Sequence, residues 1–161
     1  MKKKMLCGFL VIIVLLFASC AKKDQKTTVL PMPDNTGKLV GISYSFGSFN
    51  GGYWEYEIVE RDGKLYFTAM GSNGVDLDID AKISEKELEK FEKIIEDRDI
   101  LGWNGFSERD DDILDGYSFS LSADYEDTTL TASGYEIYPD NYETAHKALF
   151  DCFKELSDSL S

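Results

Sequence analysis

An α+β fold is predicted for residues 39–161 by three features of the chain. Six short runs alternate apolar and polar side chains, polar or glycine-bearing turns separate most of them, and two stretches repeat apolar residues at helical spacing. The order is ββββ-α-ββ-α. Hairpins interleaved with helices bury one face of a sheet, so the expected architecture is an antiparallel sheet of about six strands with two helices packed on one face.

Leu39–Phe46 places Val40, Ile42, Tyr44 and Phe46 on one side, the period of a strand. Gly47–Gly52 is a glycine-rich connector. Tyr53–Glu60 alternates again, with Trp54, Tyr56 and Ile58 opposite Glu55 and Glu57. Asp62-Gly63 supplies the positive φ of a tight hairpin, so Leu65–Met70 returns as a third strand. After Gly71-Ser72-Asn73-Gly74, the residues Val75, Leu77 and Ile79 alternate with Asp76, Asp78 and Asp80 in a fourth.

Ser84 and Glu87 have the spacing of a capping box, and Leu88, Phe91, Ile94 and Ile95 form the inner stripe of a helix ending near Asp99. Gly102–Gly116 reads as a long loop. Tyr117, Phe119, Leu121, Ala123 and Tyr125 then alternate with polar residues, and Thr128–Ser133 pairs back across Glu126-Asp127. A tyrosine-rich connector through Pro139 leads to a last helix, roughly residues 141–157. It sets Ala145, Ala148, Leu149, Cys152, Phe153 and Leu156 on one face.

Ahead of this domain the sequence changes character. Lys2, Lys3 and Lys4 precede an apolar run from Met5 to Ala18, shorter than the roughly 20 residues that span a bilayer, and Phe17-Ala18-Ser19-Cys20 closes it. The pattern resembles the lipobox signal of bacterial lipoproteins, departing from it at Phe17, where leucine is preferred. The resemblance implies a signal peptide over 1–19, acylation of Cys20, and placement on the outer face of the cell membrane. Residues 20–38 then form the lipidated N-terminus and a flexible basic tether, and residues 39–161 a single acidic domain.

The charge is divided accordingly. The whole chain has 17 basic and 30 acidic residues, net −13; setting aside residues 1–38 leaves 10 basic against 28 acidic, net −18. A head this acidic excludes nucleic acid as a partner, since a phosphate backbone is held by clustered Lys and Arg. Lysines of the tether are drawn to anionic lipid while the head is repelled by it. The remaining partners are the membrane through its lipid anchor, and a protein, peptide or glycan ligand.

Catalytic motifs are missing. No Gly-x-Ser-x-Gly, Cys-x-x-Cys or His-Glu-x-x-His sequence occurs, and His146 is the single histidine. It adjoins the inner stripe of the last helix and reads as a packed or rim residue. Cys152 lies on that stripe and reads as a small core hydrophobe. Among 28 acids some pair falls at glycosidase spacing by chance, so an acid/base hydrolase has no specific support.

Calcium is the one cofactor with candidate ligands, the loop carboxylates Asp110, Asp112 and Asp115. Asp76–Glu87 also has acids at places one, three, five and twelve of a calcium loop, but Ala81 replaces the required glycine and no helix precedes it. Aromatics supply the other candidate. Trp103 and Phe106, directly after a helix, read as plugs for the open end of the core. Tyr135, Tyr138 and Tyr142 fall in a connector that no strand or helix period explains, and exposed tyrosines anchor sugars and peptides.

Gly52-Tyr53, Trp103-Asn104-Gly105-Phe106, Leu114–Leu121 and Tyr138-Pro139-Asp140-Asn141-Tyr142 together resemble a set of small uncharacterised proteins and lipoproteins of Gram-positive bacteria, over most of residues 40–158. These motifs look like structural corners. The resemblance implies the same fold and the same surface address, and no activity.

Overall fold

A computed structural model describes residues 30–33 and 36–161; the expected signal peptide and Cys20 lie outside the described residues. The fold is α+β, a mostly antiparallel seven-stranded sheet with two helices in the order ββββ-α-βββ-α. The strands are β1 (Leu39–Ser48), β2 (Gly52–Arg61), β3 (Lys64–Ser72), β4 (Asp78–Lys82), β5 (Ser107–Arg109), β6 (Ser118–Tyr125) and β7 (Thr129–Tyr135). The helices are α1 (Glu85–Asp97) and α2 (Tyr142–Leu160). Across the sheet the order is β4-β3-β2-β1-β6-β7-β5, with β1 at the centre.

The turns form for the reasons their residues suggest. Asp62 and Gly63 both take positive φ, 53° and 70°, and Arg61 pairs directly with Lys64. Ser84 begins α1 through a capping box, its backbone N–H donating to the Glu87 carboxylate at 3.0 Å. The Ser84 hydroxyl bonds the same carboxylate and holds it below the usual range.

Three expectations are corrected. The segment read as one long loop holds a 3-10 turn, Ile100–Trp103, and β5, which pairs parallel with β7 through Ser107↔Ser133 and Arg109↔Tyr135. Three residues are too few to show a period. The fourth strand starts at Asp78, because Gly71 bonds back to the Leu77 carbonyl and Val75–Leu77 close the turn before pairing begins. Tyr117, expected at the head of an inward-facing row, precedes β6 and is 51% exposed.

One sheet face carries the core. Phe153 of α2 stacks on Tyr56 at 4.7 Å and meets Phe91 of α1 at 4.3 Å, so both helices lie on the same side. Tyr44, Ile42, Phe67, Leu121 and Leu130 complete that layer, all buried. Trp103 is buried too, its indole N–H donating to the Asn141 side chain at 2.7 Å, which is the plugging role expected of it. The opposite face is open and polar: Ser43 aligns with Glu57 and Ser122, and Ser45 with Glu55 and Ser120.

The sheet has two unlike ends. The chain enters β1 at Leu39, and β1 runs ten residues to Ser48, about 30 Å at roughly 3.3 Å per residue. At the entering end the described part of the preceding segment is tied down. Leu30 exchanges hydrogen bonds with Asn104 (2.8 and 3.2 Å), Met32 packs on the core, and Lys38 pairs with Glu85 at 2.9 Å. The β1–β2 turn, the β3–β4 connector and the segments either side of β6 and β7 gather at the far end.

Candidate functional site

At the far end, on the helix side, a cleft of about 290 Å³ opens between the sheet and the start of α2. Phe46, Trp54, Tyr117, Tyr138, Tyr142 and His146 line it, with Gly47, Gly51 and Ser118 as the remaining wall. No Asp, Glu, Lys or Arg lines it, which is notable in a domain with 38 of them.

Each ring is placed by its own element. Strand period puts Phe46 and Trp54 opposite one another on β1 and β2, where the rings stack at 5.2 Å. Helical period puts Tyr142, His146 and Phe150 one turn apart on α2, and the imidazole lies parallel to both neighbours, at 5.4 and 6.1 Å. Tyr138 stacks on Tyr142 at 4.5 Å and donates its hydroxyl to the Tyr117 carbonyl at 3.0 Å. Glu136 fixes Tyr117 from the same connector: its N–H donates to the Tyr117 carbonyl at 3.0 Å, and its carboxylate accepts from the Tyr117 N–H.

Gly51 makes room for a ring here. A Cβ on it would collide with the Tyr117 hydroxyl and come within 2.7 Å of the Ser48 Oγ, so the absence of a side chain lets Tyr117 lie over the β1–β2 turn. Gly47 has φ of 136° and no room for a Cβ against the Gly52 carbonyl.

Beneath the rings runs a part-buried polar chain. The Tyr44 hydroxyl lies 2.7 Å from His146 Nδ1 and 3.4 Å from the Tyr142 hydroxyl. Burial raises the Tyr44 phenol far beyond its ordinary value and pushes Tyr142 up to about 12, so both stay protonated. Burial also lowers the His146 imidazole, against a smaller opposing pull from Asp151. The imidazole tautomer decides which of the two groups donates in the Tyr44–His146 bond. No Asp or Glu lines the cleft beside this imidazole, and the one serine of the lining, Ser118, donates its hydroxyl to the Gly47 carbonyl at 3.4 Å.

The tyrosines expected to act together divide. Tyr138 and Tyr142 share the cleft, whereas Tyr135, the last residue of β7, lines a separate depression of about 230 Å³ with Phe49, Tyr53, Leu114 and Asp115. There Arg109 lies over its ring at 4.3 Å, and its hydroxyl accepts from the Gly116 N–H at 2.7 Å. Phe46, Trp54, Tyr117 and His146 were not expected in the site. Each satisfies a strand or helix pattern on its own, and only the pairing of distant elements brings them together.

The calcium candidates are not gathered. Asp110 accepts from the Asp112 N–H at 3.0 Å in a local turn, Asp111 bonds Arg109 at 2.8 Å, and Asp115 turns to the depression beside Leu114. Asp80, of the second candidate, pairs with Arg61 at 3.1 Å, and Glu87 is spent on the helix cap. Among the described residues no three His, Cys, Asp or Glu are grouped to hold a metal ion. A broader depression of about 620 Å³ beside Trp103 carries Asp97, Asp99 and Asp140, and the Asn141 amide on its wall is occupied by Trp103 and the Arg98 carbonyl. Cys152 is half-buried, and burial pushes its thiol up to about 11, a protonated and poor nucleophile.

No protein-family model matches this chain, and no curated protein matches it. Among the described residues no helix is long and apolar enough to cross a membrane.

Proposed function

We propose that this chain is a lipid-anchored cell-surface protein whose acidic head is a non-catalytic binding module for a protein, peptide or glycan. The anchor is the Cys20 thioether, outside the described residues. The observation that carries the binding reading is the cleft itself: Trp54, Tyr138, Tyr142 and His146 meet from three separate parts of the chain around a space with no charged side chain. Aromatic walls with a few hydroxyl and ring N–H donors suit a sugar face or an apolar side chain, and such rings carry much of the energy where they are found in interfaces.

Two experiments test this. Cys20→Ala moves the protein from the membrane fraction to the soluble culture fraction; unchanged fractionation contradicts the anchor. Trp54 lines the cleft, whereas Trp103 is buried behind Tyr142 at 5.7 Å, so the Trp54→Phe variant separates the two signals. Titrating the protein with chitohexaose, and separately with a short lysine–leucine peptide, changes tryptophan emission saturably with one of them, and Trp54→Phe abolishes the change. Emission that responds to neither contradicts the cleft as a binding site.

A further inference from the structure

Large apolar side chains stand bare at the far end of the sheet. Phe49 is 76% exposed and Leu114 90% exposed, each at a connector tip, and Tyr117 follows at 51%. Phe49 and Leu114 face one depression with Tyr53 and Tyr135, while Tyr117 overhangs the aromatic cleft, and the two depressions share Gly47 and Ser118 as their common wall. One lies on the polar face of the sheet and the other on the helix side, so a ligand that engages both straddles the end of the sheet. The fold does not require apolar tips, since the hairpin turns at the opposite end are Asp62-Gly63 and Glu126-Asp127.

Charge is polarised along the same axis. The far-end connectors, residues 49–51, 73–77, 110–117 and 136–141, hold seven acids and no Lys or Arg, with Arg98 and Arg109 adjoining and Arg109 paired to Asp111. Those at the entering end, residues 36–38, 62–63, 83–84 and 126–128, hold three acids and Lys38, with Arg61, Lys64 and Lys82 adjoining. An apolar patch ringed by an excess of carboxylates over cations is complementary to a chain that carries both cations and apolar groups, and it repels anionic lipid or nucleic acid. A neutral glycan gives no account of the acidic ring.

We infer that the far end of the sheet docks a cationic polypeptide segment, with Phe49, Leu114 and Tyr117 seating its apolar side chains and the surrounding carboxylates its lysines or arginines. This rests on the binding reading of the cleft and names the ligand class.

The test is fluorescence anisotropy with three labelled peptides on the intact protein: alternating lysine–leucine, lysine–serine and glutamate–leucine. The lysine–leucine peptide binds saturably, the other two bind at least about tenfold more weakly, and raising salt from 0.05 to 0.5 M weakens the first by about tenfold. Phe49→Ser combined with Leu114→Ser weakens it by a further tenfold or so at an unchanged melting temperature, because both side chains are solvent-exposed. Equal binding of the lysine–serine or glutamate–leucine peptide overturns the inference, as does an affinity indifferent to the double substitution. Trp54 emission separates the two readings. A peptide that needs Phe49 and Leu114 but leaves Trp54 silent supports the docking surface and counts against the cleft. One that shifts Trp54 and ignores the double substitution does the reverse.

Discussion

The hydroxyl of Tyr44 on β1 and Nδ1 of His146 on α2 lie 2.7 Å apart, and this bond joins the sheet to the ring cluster that walls the cleft. Tyr44 is fully buried, so its hydroxyl has no water to fall back on. The bond therefore sets where α2 begins to cover the sheet and which way the imidazole faces.

Tyr44→Phe keeps the ring contacts with Phe46 and Phe153 and removes only that hydroxyl. Removing this part-buried hydrogen bond costs about 1 kcal/mol, measurable by denaturant unfolding. A variant as stable as the parent contradicts the role assigned to the bond.

His146 makes stability depend on pH. Its folded value is lowered by burial, with Asp151 opposing and the Tyr44 and Tyr142 hydroxyls facing it. The unfolded chain therefore takes up a proton at higher pH than the folded one. Its contribution is intact above the unfolded value of about 6.5 and is lost as pH falls through the folded value. Melting curves between pH 7.5 and 5 fall more steeply for the parent than for His146→Gln. Parallel slopes contradict this.

Gly51→Ala probes the cleft without touching the core. Gly51 is exposed and its φ is not in the left-handed region, yet a Cβ there displaces the Tyr117 ring. The expected outcome is a weaker response of Trp54 to whichever probe binds, with a melting temperature within a few degrees of the parent. Undiminished binding removes Tyr117 from the site.

Phe153→Ala empties the centre of the core, where the ring touches Tyr44, Tyr56, Phe67 and Phe91. The loss is about 3–5 kcal/mol. Unfolding by urea measures it, and a loss under 1 kcal/mol, the cost of roughly one buried methylene, shows that the site collapses around the missing ring.

Most of the fold was legible because its signals are local. Strand alternation in β1, β2, β3 and β6, the Asp62-Gly63 turn and the Ser84 cap each sit within a few residues of sequence. β5 was not, since Ser107–Arg109 is too short for a period and is made a strand by its neighbour β7. The site was half legible. Tyr138 and Tyr142 stood out because no repeat explained them, while Phe46, Trp54 and His146 were hidden by fitting their own elements. Tyr135 stood out for the same reason as its neighbours, but as the last residue of β7 its ring faces the second depression, away from the cleft.

The most direct measurement of the binding account is an amide chemical-shift map of isotope-labelled protein titrated with the lysine–leucine peptide. The account predicts shifts confined to residues 46–54, 114–118 and 135–146, at the far end of the sheet. Shifts centred on Lys38, Gly63–Lys64 and Lys82–Ser84, at the end where the chain enters β1, would contradict it.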